Sequence, residues 1–392
     1  IAGDRSRPAY YEDSATLRLS SQLEYSRMLD SGNELVIRNS ISRFNRELLV
    51  PDFEFSGTQI SSFSEAHLLG GSNFMDWVVG LNLWTEDFDQ GSGALPMQID
   101  YDQQTFGLFA QGTRSLPDSW TIEAGLRLDR DSDYGEFVLP RLSLLYTGFK
   151  DTSIRFGGGL GYKLPTPFSE EAERIQFQGL QPLQINNLEV ERSAGVNADI
   201  NRSWQLNSSL SFDLNLLLFY TRVDDPLMLI PQADQTYSYQ QPVPSIDTRG
   251  TEINAVWRWK DYKFFLGYTH ADVQENWQNE TRDSALIPED RVNMVFVYER
   301  EDDIRVGLEA YYYGQQTLES GSQSPDYWIF GLMTEKIFSD DFSLFLNFEN
   351  FGDTRQTRDG PIYTGAISNP EFVDIYAPLD GFVINGGVKL TF

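Results

Sequence analysis

Cysteine is absent from this 392-residue chain, and histidine occurs only twice, at His67 and His270. Without thiols there is no disulfide framework, no thiolate metal centre and no cysteine nucleophile. The two histidines lie far apart, each inside a strand-like run, and read as ordinary strand residues rather than as parts of a catalytic triad or zinc site. No stretch approaches the roughly eighteen to twenty consecutive apolar residues that a membrane-crossing helix requires. Positive charge is also scarce, 30 Lys and Arg against 58 Asp and Glu for a formal net charge of −28, which excludes nucleic acid as a partner. Gly157-Gly158-Gly159-Leu160-Gly161 is glycine-rich but no helix follows it, so it is no phosphate loop; glycine there permits tight curvature or close approach of another segment.

What the chain has is alternation. Leu17, Leu19, Leu23 and Tyr25 are interleaved with Arg18, Ser20, Gln22 and Glu24, and Trp120, Ile122, Ala124, Leu126 and Leu128 with Thr121, Glu123, Gly125, Arg127 and Asp129. The same period of two returns over 153–163, 209–220 and 304–312, in about seventeen segments. Such a wall meets lipid with every second side chain only, so a mean hydropathy of −0.38 is compatible with spanning a bilayer. The face turned from lipid is expected to be polar.

Connections fall into two classes. Short turns are read at Ser31-Gly32-Asn33, Gly70-Gly71-Ser72, Pro117-Asp118-Ser119, Gly148-Phe149-Lys150-Asp151, Asn201-Arg202-Ser203, Lys260-Asp261, Glu301-Asp302-Asp303 and Ser339-Asp340-Asp341. Between them lie mostly long linkers, near 87–99, 164–186, 224–245, 273–285, 316–325 and 352–380, with 131–135 the exception. Short turns at one end and long loops at the other predict an all-β, transmembrane antiparallel β-barrel over 1–392, with the C-terminus on the short-turn side. Aromatic residues near strand ends, among them Tyr146, Tyr162, Trp204, Tyr220, Trp257, Trp259, Tyr262, Tyr268, Tyr298 and Trp328, suit interfacial girdles.

The final run, Phe382 to Phe392, puts Ile384, Val388, Leu390 and Phe392 on one face and Lys389 and Thr391 on the other. Its aromatic end is similar to the assembly signal of bacterial outer-membrane barrels, here Gly387, Leu390 and Phe392. Gly161-Tyr162-Lys163-Leu164-Pro165-Thr166-Pro167 resembles the Gly-aromatic-basic-x-Pro segment of TonB-dependent outer-membrane receptors. Leu188-Glu189-Val190-Glu191-Arg192-Ser193 is similar to that family's Leu-x-Pro-Glu-x-Ser strand entry, with Val190 where proline is usual. Arg249-Gly250-Thr251-Glu252 and Asn347-Phe348-Glu349-Asn350-Phe351-Gly352-Asp353 resemble its later landmarks, in the family's order, over roughly residues 100 to 392. The stretch from Tyr363-Thr364-Gly365 to Ala377-Pro378-Leu379-Asp380-Gly381 looks like receptors of the Bacteroidetes type.

The resemblance implies the C-terminal part of a barrel of about 22 strands, without the family's N-terminal plug and first strands. It implies uptake of a scarce small-molecule nutrient, such as a ferric siderophore or cobalamin, across the outer membrane of a Gram-negative bacterium, with energy from a TonB-type complex. The barrel assembly machinery, outer-membrane lipid and lipopolysaccharide are the other implied partners. No enzymatic activity, cofactor or metal is expected. Ligand contacts in the family come from extracellular loops, and the loop candidates here are Tyr237, Tyr239, Gln240, Trp277, Gln315, Tyr327 and Tyr363. Arg18, Arg127, Arg155, Arg258 and Arg305 lie on the face turned from lipid, in water or paired with plug carboxylates. Two alternatives stand beside this reading, a passive plug-less porin and a soluble all-β enzyme or binding protein. The acidic stretch from Asp129 to Glu136 reads as a solvated loop tip, with calcium the alternative; its glycine is one place late for an EF-hand, whose twelfth position falls on Pro140. Acidic loops at Glu170-Glu171-Ala172-Glu173 and Glu289-Asp290 are alternatives for meeting divalent ions that bridge lipopolysaccharide.

Overall fold

The structure, a computed structural model, describes residues 10–91, 99–234, 236–366 and 369–391; Phe392 of the expected assembly signal lies outside them. Ten long strands open the chain: β1 (Asp13–Met28), β2 (Glu34–Val50), β3 (Phe53–Gly71), β4 (Asp76–Gln90), β5 (Tyr101–Leu116), β6 (Trp120–Asp131), β7 (Gly135–Phe149), β8 (Thr152–Lys163), β9 (Glu191–Asn207) and β10 (Leu210–Asp224). A loop hairpin follows, β11 (Met228–Pro231) with β12 (Tyr237–Gln240). The wall resumes with β13 (Ser245–Trp259) and β14 (Tyr262–Asn276), to which the short β15 (Thr281–Asp283) adds a rim. It continues through β16 (Asp290–Arg300), β17 (Ile304–Tyr313), β18 (Tyr327–Ser339) and β19 (Phe342–Glu349). A second loop hairpin, β20 (Tyr363–Ala366) with β21 (Asn369–Phe372), precedes β22 (Val383–Leu390).

Apart from β15 and the two hairpins, each strand pairs antiparallel with the next, so seventeen strands form one meander, as the alternation predicts. Among the described residues β1 pairs only with β2, and β22 only with β19, which leaves a free backbone edge on each. Registers keep like faces together: Leu344 opposes Val388 and Phe348 opposes Ile384 on one face, while Asn347 opposes Asn385 on the other. The first face exposes Leu81, Leu126, Leu142, Phe156, Leu218 and Leu308. On it, rings near the short turns form a belt, Trp204, Phe212, Trp257 and Phe264 following one another at centroid spacings of 5.1, 4.7 and 5.4 Å. Near the long loops three tyrosines on the same face donate to aspartates, Tyr220 to Asp247 (2.7 Å), Tyr268 to Asp290 (2.7 Å) and Tyr312 to Asp326 (3.1 Å). A ring whose apolar body meets lipid and whose hydroxyl meets a polar partner suits an interface.

Strands β1 to β5 are 15 to 19 residues long, more than the roughly ten that cross hydrocarbon. Their excess lies towards the long loops, where the lipid-side pattern gives way to Arg43, Asn45 and Glu47 on β2 and Asp87 and Asp89 on β4. Two turns depart from expectation. Asn201-Arg202-Ser203 is no turn: β9 runs on to Asn207 and the chain reverses at Ser208-Ser209, because Ile200, Trp204 and Leu206 keep the period of two across the polar triplet. At the long-loop end β2 and β3 are joined by Pro51-Asp52 alone, with Asp52 at φ 61°. The inward face is also less polar than expected, since Phe109, Leu139, Leu217, Phe265, Val295 and Phe345 point into it. Lipid dictates only the outer face, and residues with strand preference are free to occupy the inner one.

Candidate functional site

The connection from β8 to β9 does not extend into solvent. It folds inward over the long-loop ends of β2 to β5. A short helix, α1 (Glu170–Arg174), starts where Ser169 Oγ accepts the Ala172 amide (3.2 Å), and the turn that follows it delivers Phe177 into the wall at 0% exposure. Phe177 stacks on Phe55 (4.4 Å), and Phe168 meets Phe88 edge-on (4.8 Å). Leu48, Ile99, Leu180 and Leu188 complete the cluster. Arg46 pairs with Glu173 and lies over the Phe177 ring at 5.5 Å, so charge and packing hold the same loop. The β11–β12 hairpin is fixed to this cap by two backbone bonds, Tyr237 N to Gly179 O and Gln181 N to Tyr237 O, both 2.8 Å.

The loop candidates distribute unequally around this mouth. Tyr239 is buried inside the cap, where its hydroxyl donates to Pro167 O (2.9 Å) and lies 2.9 Å from Ser169 Oγ; burial pushes it up to about 12. Tyr237 is half-buried beside it, and Gln240 is exposed with its amide on Ser238 Oγ (3.0 Å). Trp277 donates to Glu275 (3.0 Å) under the Arg282 guanidinium, 4.9 Å from its ring. Gln315 is exposed on the rim of a cavity between loops 284–289 and 314–326. Tyr327 stacks on Tyr313 (5.0 Å) and donates to Tyr376 O (3.0 Å) on the inward side. Tyr363 is half-buried in β20. These residues are therefore spread around the mouth rather than gathered in one cluster.

The inward arginines are largely paired within the wall. Arg127 donates to Asp129 (2.8 Å) and to Asn82 Oδ1 (3.2 Å), and Asp129 also accepts from Tyr162 (2.8 Å). Arg305 bridges Glu299 (2.6 Å) and Glu335 (2.9 Å), and Arg258 pairs with Asp213. Arg18 lies over Phe44 at 4.9 Å, while Arg155 has no ion-pair partner among the described residues. Sequence spacing locates these arginines and, for Arg127, the partner Asp129 two places along the same strand; the partners of Arg258 and Arg305 come from neighbouring strands. Asn82 is fully buried and its Nδ2 unpartnered, as is Asp129 Oδ1, so this node of the inner wall has one donor and one acceptor to spare. Gly107 lies opposite, and a Cβ there would meet Asn82 Oδ1 at 2.6 Å.

The acidic stretch after β6 is a turn held by its own carboxylate. Asp131 Oδ1 accepts the amides of Asp133 (3.0 Å) and Tyr134 (3.1 Å), and its Oδ2 accepts from Thr105 (2.7 Å). Burial, with Asp133 and Asp131 alongside, pushes Tyr134 up to about 12. The four carboxylates do not converge there. Among the described residues the converging group is His270, Glu289 and Asp290.

A wall of antiparallel strands with an apolar outer surface, ion pairs inside and an inward-folded loop over its mouth has the build of a transmembrane β-barrel. Residues 3–351 match the family model "TonB dependent receptor-like, beta-barrel". The chain belongs to the TonB-dependent receptor β-barrel family. No curated protein matches it in sequence. Solved structures with a similar fold include the ferric enterobactin receptor PfeA of Pseudomonas aeruginosa (16% identity, TM-score 0.70, 97% of this chain and 63% of that one). The FrpB iron transporter of Neisseria meningitidis (12%, TM-score 0.74, 100% and 66%) and the siderophore receptor PirA of Acinetobacter baumannii (15%, TM-score 0.68, 97% and 63%) are others. This TonB-dependent receptor barrel thus spans less than two thirds of the length of those chains. At such identities the likeness is one of fold.

Proposed function

We propose that this chain is the barrel wall of an outer-membrane receptor that takes up a ferric siderophore-like chelate, with energy relayed by a TonB-type complex. The match of residues 3–351 to the receptor barrel family carries this reading. Its support in the geometry is a mouth at the long-loop end with inward tyrosines, Tyr311, Tyr313 and Tyr327, beside a loop cap packed on the ends of β2 to β5. Aromatic and carbonyl-rich rims of this kind bind rigid, partly apolar chelates by stacking and hydrogen bonding. The surface carries a large negative charge, so a cargo would be selected by shape and stacking and not by bulk attraction of an anion.

The test is uptake. The complete gene is expressed in an iron-starved host lacking its own receptors, and labelled ferric chelates of catecholate, hydroxamate and carboxylate type are supplied with cobalamin as comparison. Accumulation of one ferric chelate that stops on removal of the inner-membrane energy relay is expected. Transport that continues without the relay would establish a passive channel instead.

A further inference from the structure

We propose that His270, Glu289 and Asp290 form a binding site for one divalent cation of the first-row transition type, for which Zn2+ serves as probe. One ligand atom from each lies within 4.8 Å of the others. His270 comes from β14, while Glu289 and Asp290 stand at the entry to β16, the neighbouring strand, where His270 and Asp290 are directly opposed in register. Asp290 is already oriented: its Oδ1 accepts from Tyr268 (2.7 Å) and lies 3.0 Å from His270 Nδ1, and no side chain among the described residues takes its Oδ2. A carboxylate fixed through one oxygen with the other free is the arrangement in which the remaining lone pairs are presented rather than averaged. Gly314 backs onto this point, its amide on Asp290 O (2.8 Å), and a Cβ there would crowd that oxygen at 3.1 Å.

Glu289 and Asp290 face a cavity of about 540 Å³ bordered also by Asp283 and Asp326, with no lysine or arginine on its wall. An acidic cluster on a surface needs nothing to neutralise it, so a separate observation decides. Ser284 is only 8% exposed and lines this cavity, and its hydroxyl has no partner among the described residues. That hydroxyl opens into the cavity, where it can donate to or accept from water bound by an ion. The donor set identifies the class of ion. One imidazole and two carboxylates make a three-donor site with open positions for water, which suits Zn2+ and its neighbours. Calcium would require roughly six to eight oxygen ligands. With the ion in place β14 and β16 are tied together at the rim, and the intervening loop, which carries Trp277, is fixed at both ends.

The complete receptor in detergent is stripped with chelator and titrated with Zn2+ against a chromophoric competitor. One equivalent is expected to bind, and His270→Gln should weaken it by at least about tenfold. His67→Gln should bind as the parent does, since His67 is buried on the inward face beside Glu65 (2.9 Å). A large excess of Ca2+ should leave the Zn2+ bound, and zinc-edge absorption should report a nitrogen–oxygen shell containing one imidazole. If His270→Gln fails to fold, Glu289→Gln carries the test, because Glu289 is exposed and outside the packed wall. Absence of binding in the parent, unchanged affinity in His270→Gln and Glu289→Gln, or displacement by Ca2+ would each overturn the proposal.

Discussion

Phe177 shows how one side chain decides the state of a loop. It is fully buried between Phe55 and the Arg46 guanidinium, yet it belongs to a connection that would otherwise project into solvent. Truncating a buried phenylalanine costs about 3 to 5 kcal/mol, more than the short α1 supplies from its own hydrogen bonds. Phe177→Ala should release the 164–190 loop while leaving the strands intact, and limited proteolysis should then cut near Arg174 in folded receptor. A second residue controls the loop before β22. Asp353 is held below the usual carboxylate range first by the Phe382 amide (3.1 Å) and then by Arg355 (2.9 Å) and Arg358. A depressed folded-state pKa contributes stability that is present above the unfolded value and lost as pH falls through the folded one. The 350–382 loop should therefore keep its protection from pH 7 down to the ordinary aspartate value of about 4 and lose it only below. Asp353→Asn should abolish that acid step, and a protection profile that changes between pH 7 and 5 would contradict the assignment. Gly381 is the companion constraint, since any Cβ there would overlap Asp353 Oδ1.

At the scale of the element, legibility follows from who imposes the pattern. Lipid imposes a period of two on every wall strand, so strands such as β6 and β10 stand out in the sequence, and their count comes out correctly. A polar triplet can still mislead: Asn201-Arg202-Ser203 has turn composition, but Arg202 lies along the Trp204 ring at 4.9 Å and the strand continues. The cap is invisible to any local pattern, because Phe168 and Phe177 sit in a loop and their partners Leu48, Phe55 and Phe88 sit on strands distant in sequence. The same holds for His270, an isolated strand histidine until the register of β14 with β16 places Asp290 opposite it. Faces are the part that period fixes, and they can be tested. Leu308 is exposed on the outer face and opposed to Phe296, whereas Ser143 points inward opposite Glu123. Leu308→Arg should cost about 2 to 4 kcal/mol in bilayers if it lies near mid-depth, and Ser143→Arg, with a carboxylate at hand, should be close to neutral. Equal losses in a folding titration would mean the two faces have been exchanged.

For the whole molecule the decisive feature is the pair of free edges. Unpaired backbone N–H and C=O groups find no partner in hydrocarbon, so β1 and β22 must each be paired in the membrane, with one another or with other strands. Direction argues against the first arrangement. β1 runs from the long-loop end to its short turn at 29–33, and after an odd number of wall strands β22 runs the same way, so joining them would insert one parallel pair into an antiparallel wall. Bacterial single-chain barrels have even strand numbers for this reason. The absence of cysteine makes the question open to cross-linking without background from this chain. In the complete receptor, Asn347→Cys with Asn385→Cys places two thiols directly across the β19–β22 pair and should oxidise to a disulfide in intact membranes. Pairs spanning β1 and β22, such as Gln22→Cys with Asn385→Cys and its neighbours shifted by two residues along β1, should not. Formation of a β1–β22 disulfide at any of these registers would show a ring closed by seventeen strands. It would replace the receptor reading with that of a small self-contained channel.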